Sequence, residues 1–161
     1  MNELHVNQDQ VPWEEQRSPG GKFQKFRRFL TQELGYPKNM GPQAGGMPFD
    51  IELTRVPSGA ANFPYHHHAA QWEAYIIVEG NGILRLDDGE RVVKKGEVIV
   101  CPPGHAHQLR NEGVEDLVYY VIADNPPCDV FYYPDSDKYG MRPDLKFFKM
   151  TETDYYEGEE E

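Results

Sequence analysis

From Phe49 onward the chain is a succession of short apolar segments, each closed by a turn signal, and few folds accommodate that pattern. FDIELTRV, WEAYIIVEG, GILRL, EVIVC, HQLRN and DLVYYVIA are rich in β-branched, aromatic or aliphatic residues. Such residues suit a pleated, half-buried surface, so each segment is read as a strand. Pro57-Ser58-Gly59, Gly80-Asn81-Gly82 and Pro102-Pro103-Gly104 stand between them, where glycine and proline supply the backbone angles of turns. Asp88-Gly89 between GILRL and RVV predicts a hairpin, because a primed two-residue turn needs positive φ. Many short strands at this spacing predict an all-β sandwich or barrel, the jelly roll being one closed solution. The 161 residues, 39% of them hydrophobic, suffice for one domain around one core.

The segment before the strands reads differently. Residues 1–20 are polar and irregular. In FQKFRRFLTQEL, residues 23–34, the spacing of Phe23, Phe26, Leu30 and Leu34 predicts an amphipathic helix stopped by Gly35. Phe23 to Phe29 also reads as part of a strand. Residues 35–48 hold four glycines and three prolines and form a loop. The expected organisation is an N-terminal arm over 1–48, a barrel over 49–150 and an acidic, solvated, disordered tail over 151–161.

Charge narrows the partners. A net charge of −11 leaves no basic surplus for phosphate neutralisation, so a nucleic-acid partner is not expected. An anionic substrate would need a local cationic site. No run of about 18 apolar residues is present, and a membrane partner is not expected. MNELHVNQDQVPWEEQ lacks the basic start and apolar middle of a signal peptide, so the expected location is cytoplasmic. The two cysteines, Cys101 and Cys128, are read as free thiols.

The histidines carry the chemistry. Five of the six fall in two groups, His66-His67-His68 and then His105 and His107. Residues two apart on a strand share a face, so His66 and His68 point one way and His67 the other. Glu73 has opposite parity to His68 and joins the same site only if Ala69-Ala70-Gln71 turns the chain. His107 arrives from a separate hairpin. Three imidazoles and one carboxylate make a mixed nitrogen and oxygen set for a first-row metal, with coordination positions left for water or substrate.

These residues resemble the two motifs of the cupin superfamily. The first, HxH followed by four residues, Glu, six residues and Gly, is met by His66 to His68, Glu73 and Gly80. The second, Gly, five residues, Pro-x-Gly, two residues, His, three residues and Asn, is met by Gly96, Pro102 to Gly104, His107 and Asn111. One spacing departs: six residues separate Gly59 from His66, where five are usual. The resemblance covers about a third of the chain, Gly59 to Asn111. It implies a double-stranded β-helix barrel of jelly-roll type with one divalent ion (Fe, Mn, Ni, Co or Zn) on His66, His68, Glu73 and His107. The Tyr133-Pro134-Asp135-Ser136-Asp137-Lys138 segment further resembles a group of small bacterial single-domain cupins, some labelled sugar-phosphate isomerases.

The expected function is a metal-dependent enzyme acting on a small polar or anionic molecule, isomerase-like or dioxygenase-like. The rival is a non-catalytic metal-dependent binder or sensor. Tyr75, His105, Arg85 and Arg110 are the candidates to move a proton or fix a substrate charge. A homodimer is expected, because Trp13, Phe23, Phe26 and Phe29 in the arm need an apolar surface to cover.

Overall fold

The computed structural model describes residues 4–160. Residues 1–3 and Glu161, the outer ends of the expected arm and tail, lie outside them. Thirteen strands dominate: β1 (Glu14–Arg17), β2 (Gln24–Phe29), β3 (Phe49–Val56), β4 (His67–His68), β5 (Glu73–Glu79), β6 (Asn81–Leu86), β7 (Gly89–Lys94), β8 (Val98–Cys101), β9 (His107–Arg110), β10 (Leu117–Asp124), β11 (Asp129–Tyr133), β12 (Lys138–Arg142) and β13 (Lys146–Phe148). One helical turn, α1 (Leu30–Glu33), follows β2. The strands form an antiparallel barrel of jelly-roll type, as the segment pattern predicts.

One wall is a six-stranded sheet in the order β1-β2-β3-β10-β5-β8. The other wall holds β7-β6-β9 and β13-β12-β11-β4. A bridge between His66 and His107 stitches these two smaller sheets together. The β6–β7 hairpin forms, with Leu86 opposite Gly89 and Asp87-Asp88 as the turn. Gly89 takes φ 127°, a conformation that side chains of L-residues resist, so its role lies one residue beyond the expected turn.

Strand parity fills the barrel. Val56, Ile77, Leu84, Leu109, Leu117 and Tyr119 are buried together in the core. On β3 the inward parity runs Asp50, Glu52, Thr54, Val56, so one end of the interior is carboxylate-rich and the other apolar. The polar end is where the site forms.

The expected helix over 23–34 does not form. Residues 24–29 are a strand paired with β3 from Phe26↔Arg55 to Phe29↔Glu52, and the helix shrinks to Leu30–Glu33. Tertiary pairing overrides a local pattern: an open edge of β3 offers a row of backbone partners that a short isolated helix cannot match. The arm is therefore built into the barrel sheet. Phe29 is buried, Arg28 and Arg55 flank the Trp13 ring, and Arg55 also covers Phe26. Trp13, Phe23 and Phe26 are half-buried, so part of the apolar surface behind the dimer expectation is covered within the chain. Residues 151–160 carry neither strand nor helix and are exposed.

Candidate metal centre

The centre lies between the two walls. His66 and β4 bring two imidazoles from one side, β9 brings His107 beside them, and β5 brings Glu73 from the six-stranded sheet. The Ala69–Trp72 stretch leaves the β4 strand and re-enters at Glu73, which resolves the parity mismatch. Trp72 N–H donates to Asp124 and the Gln71 amide to the Asp124 carbonyl, fixing that turn.

Backbone and carboxylate acceptors decide how the rings present themselves. His66 Nδ1 lies 2.9 Å from the Pro64 carbonyl, and His107 Nδ1 lies 3.1 Å from the His105 carbonyl. A carbonyl only accepts, so both Nδ1 atoms carry protons. His68 Nδ1 donates to Asp129 Oδ2 at 2.5 Å. Asp129 also accepts from the Ala70 N–H. Burial pushes the Asp129 carboxyl up, but His68, the Ala70 N–H and the charge of Arg142 together outweigh it and hold the carboxyl below the usual range. All three Nε2 atoms therefore point inward, the arrangement in which an outer acceptor orients a metal-binding histidine.

The inward atoms converge. His107 Nε2 is 2.9 Å from Glu73 Oε2, and His66 Nε2 is 3.1 Å from His68 Nε2. The ligand atoms of His66, Glu73 and His107 all lie within 4.8 Å of one another. His68 Nε2 stands 3.8 Å from Glu73 Oε2. Two lone pairs facing each other at 3.1 Å repel unless a proton or a cation lies between them. This donor set, three imidazoles and a carboxylate in a buried site, fits a first-row divalent ion.

Electrostatics agree. Burial lowers the His66 pKa to about 3, so that ring stays neutral. Burial also pushes Glu73 up, but the His107 hydrogen bond and the three imidazoles hold its carboxyl well below the ordinary value. Burial opposes a charge on His107, yet Cys101 and Glu73 beside it raise its pKa to about 10. In the metal-free protein Glu73 and His107 are thus an ion pair, and a metal ion held here would take the place of the His107 Nε2 proton.

Of the candidates for proton or charge handling, Tyr75 is fully buried, and its hydroxyl lies 2.8 Å from Glu73 Oε2 and 3.0 Å from His107 Nε2. Arg85 instead forms a bidentate pair with the exposed Asp135, 2.7 and 2.8 Å, over the Tyr65 ring. Arg110 pairs with Glu90 and Glu112. Both arginines have outward parity, opposite to the buried Leu84 and Leu109. The His105 ring is exposed on the Pro-Pro-Gly turn, and its backbone carbonyl is what serves the centre.

A cavity of about 230 Å³ opens beside the centre, and His66, His68 and Glu73 line it. None of Tyr75, His105, Arg85 and Arg110 is on its wall; Tyr75 lies behind Glu73. The positive charge there comes from Lys25, Arg27, Lys38 and Arg142. Sequence reasoning missed these four. Lys25 and Arg27 share the inward parity of Phe29 on β2, a signal visible only when 24–29 is read as a strand. Nothing in the sequence pointed to Asp129.

Comparison with known proteins follows the same residues. The cupin domain family matches residues 52–123. An uncharacterized protein of Methanocaldococcus jannaschii is 38% identical over 58 residues, 36% of this chain and 46% of that protein. Auxin-binding protein 1 of Arabidopsis thaliana is 32% identical over 81 residues, 45% of this chain and 40% of that protein. The chain thus matches less than half the length of either curated relative. Among solved structures, a sugar phosphate isomerase of a cupin superfamily from Silicibacter pomeroyi superposes with a TM-score of 0.75 at 22% identity, covering 90% of this chain and 92% of that one. At that identity the likeness establishes the fold.

Proposed function

We propose, on the premise of the cupin domain match over residues 52–123, that this chain is a cupin and a metal-dependent enzyme acting on a small anionic molecule. The observation that carries the reading is the coincidence of two features in one cavity. His66, His68 and Glu73 of the centre line it, and so do four cationic side chains, in a chain of net charge −11. The ion would be Fe, Mn, Ni, Co or Zn, held by His66, His68, Glu73 and His107. When bound, it supplies Lewis-acid polarisation of a carbonyl or hydroxyl, or a position for oxygen.

The chain's own residues supply the rest. Asp129 and the Pro64 and His105 carbonyls hold the rings in one tautomer. Tyr75 places a hydroxyl at Glu73 Oε2, where it holds or passes a proton. Phe63, Phe131 and Phe147 give the cavity apolar wall and exclude water. Isomerase-like and dioxygenase-like chemistry both use such a site.

A second reading, a non-catalytic binder, has its own support. One curated relative is named for binding auxin. The cavity carboxylates Asp50 and Glu52 are engaged in bonds to Thr31, Asn39, Arg27 and Lys38, leaving neither free as an obvious general base. The test is a panel of sugar phosphates, keto acids and catechols with Fe(II), Mn(II) and Ni(II). Turnover lost in Glu73→Gln, with the fold intact, supports the enzyme. Tight binding without product under every metal supports the binder. The reading also carries a homodimer and a cytoplasmic location; among the described residues no helix is long and apolar enough to cross a membrane.

A further inference from the structure

Two of the cavity cations, Lys25 and Arg142, meet no carboxylate among the described residues, and Lys25 is the more deeply buried. It stands on the inward parity of β2 and is only 9% exposed. Its neighbours are engaged. Arg27 and Lys38 both meet Glu52, at 3.1 and 2.5 Å, and the Arg142 guanidinium reaches the Gln71 amide oxygen at 3.3 Å. Among the described residues no carboxylate pairs with the Lys25 ammonium; it lies 5.1 Å from the Phe63 ring centroid. Burial and the charge of Arg27 hold its pKa well below the ordinary lysine value. A buried, unpaired ammonium is costly, so without a negative partner burial favours the neutral amine, and an oxyanion would restore the charged form.

The same cavity wall shows a second unmet donor: Arg27 Nε is buried with no hydrogen-bond partner. Lys25, Arg27, Lys38 and Arg142 face only Asp50, Glu52 and Glu73 as formal negative charges, and a divalent ion would add two more positive charges. What completes this cavity is negative charge on a small molecule.

We propose that Lys25 is an oxyanion-recognition residue, its ammonium receiving a carboxylate or phosphate oxygen of a small molecule whose other end reaches the His66, His68, Glu73 and His107 centre. The metal-side half rests on the function proposed above; the oxyanion site at Lys25 does not. An ammonium-to-oxyanion contact in a dry site is among the strong hydrogen bonds, so its loss is large.

The experiment is calorimetric titration of the full chain, metal-loaded and metal-free, with oxalate, malonate, inorganic phosphate and neutral glycerol. Wild type is compared with Lys25→Met, Lys25→Gln and Lys25→Arg. Metal content by elemental analysis and thermal melting are recorded for each. The expected result is a loss of at least about tenfold in affinity for one anion class in both neutral variants. Lys25→Arg retains most of the affinity, and melting and metal content stay at the wild-type level. The carboxylate and phosphate arms identify which oxyanion the site takes. Equal anion affinity in wild type and Lys25→Met overturns the proposal, as does wild type that no anion saturates at millimolar concentration. Metal content reads the other question separately: metal-poor wild type that still binds anions through Lys25 sinks the metal reading and leaves this one standing.

Discussion

The Nε2 atoms of His66 and His68 face each other at 3.1 Å, each ring having already committed its Nδ1 proton, one to the Pro64 carbonyl and one to Asp129. Two acceptors at that distance make a site that a cation stabilises. The expected outcome is one divalent ion per chain, with occupancy strongly reduced in His66→Ala and in His107→Ala. Because the His107 pKa stands near 10 without metal, loading at neutral pH should release about one proton per ion. Elemental analysis, and calorimetry in buffers of different ionisation enthalpy, measure the two. Equal metal content in wild type and both variants would show that the ligands are misassigned.

Asp129 touches no ligand position, yet it orients His68. Asp129→Asn keeps the shape and removes the charge that fixes the Nδ1 proton. Metal affinity should fall by about 10- to 100-fold, with little change in the fold. Competition against a chelator reads the affinity, and circular dichroism reads the fold. Unchanged affinity would mean that the short contact does no orienting.

In the metal-free protein two histidines contribute opposite slopes to stability against pH, and Lys25, with its lowered pKa, contributes with the sign of His66. His66 has its folded pKa lowered to about 3, so the unfolded chain takes up its proton first as pH falls below about 6.5. Stability is lost across that window, at up to about 1.4 kcal/mol per pH unit. His107 has its folded pKa raised to about 10; its contribution is complete below about 6.5 and disappears as pH rises toward 10. Urea unfolding of chelator-treated protein across pH tests both slopes. His66→Asn should flatten the acid limb and leave the alkaline one.

Gly140 couples packing to the centre. A Cβ there would lie 2.0 Å from a Phe131 ring carbon, and that ring packs against His68 at a centroid distance of 5.6 Å. Gly140→Ala must push Phe131 away. It should cost about 1–3 kcal/mol by overpacking and weaken metal binding at the same time. Thermal melting with and without metal separates the two effects; a variant that melts like wild type and loads metal normally would contradict the coupling.

The dimer expectation now rests on the outer face of β5 and β8. Val98 and Val100, opposite Ile76 and Ala74, are 62% and 57% exposed, and Trp72 nearby is 52% exposed. β8 is also an open edge of the six-stranded sheet. Light scattering should give a dimer mass at micromolar concentration, and Val98→Lys with Val100→Lys should give a monomer. A monomeric wild type removes the expectation.

The sequence by itself marked the candidate ligands and most of the barrel strands, because both are legible locally. An HxH pair on a strand shares a face whatever surrounds it, and turn residues mark strand ends by their own backbone preferences. Parity also carried more than was read from it: Arg85 and Arg110 stand opposite to Leu84 and Leu109, which turns them outward. Only the tertiary structure decided the rest. Residues 24–29 are a strand because β3 presents an open edge, and the three- and four-residue spacing of Phe23, Phe26 and Leu30 contains no trace of that partner. The same pairing turns Lys25 and Arg27 into the cavity, while Lys38 reaches it from the loop that follows. Asp129 meets His68 across 61 positions of chain, a contact made by the pairing of β4 with β11 that no local pattern encodes.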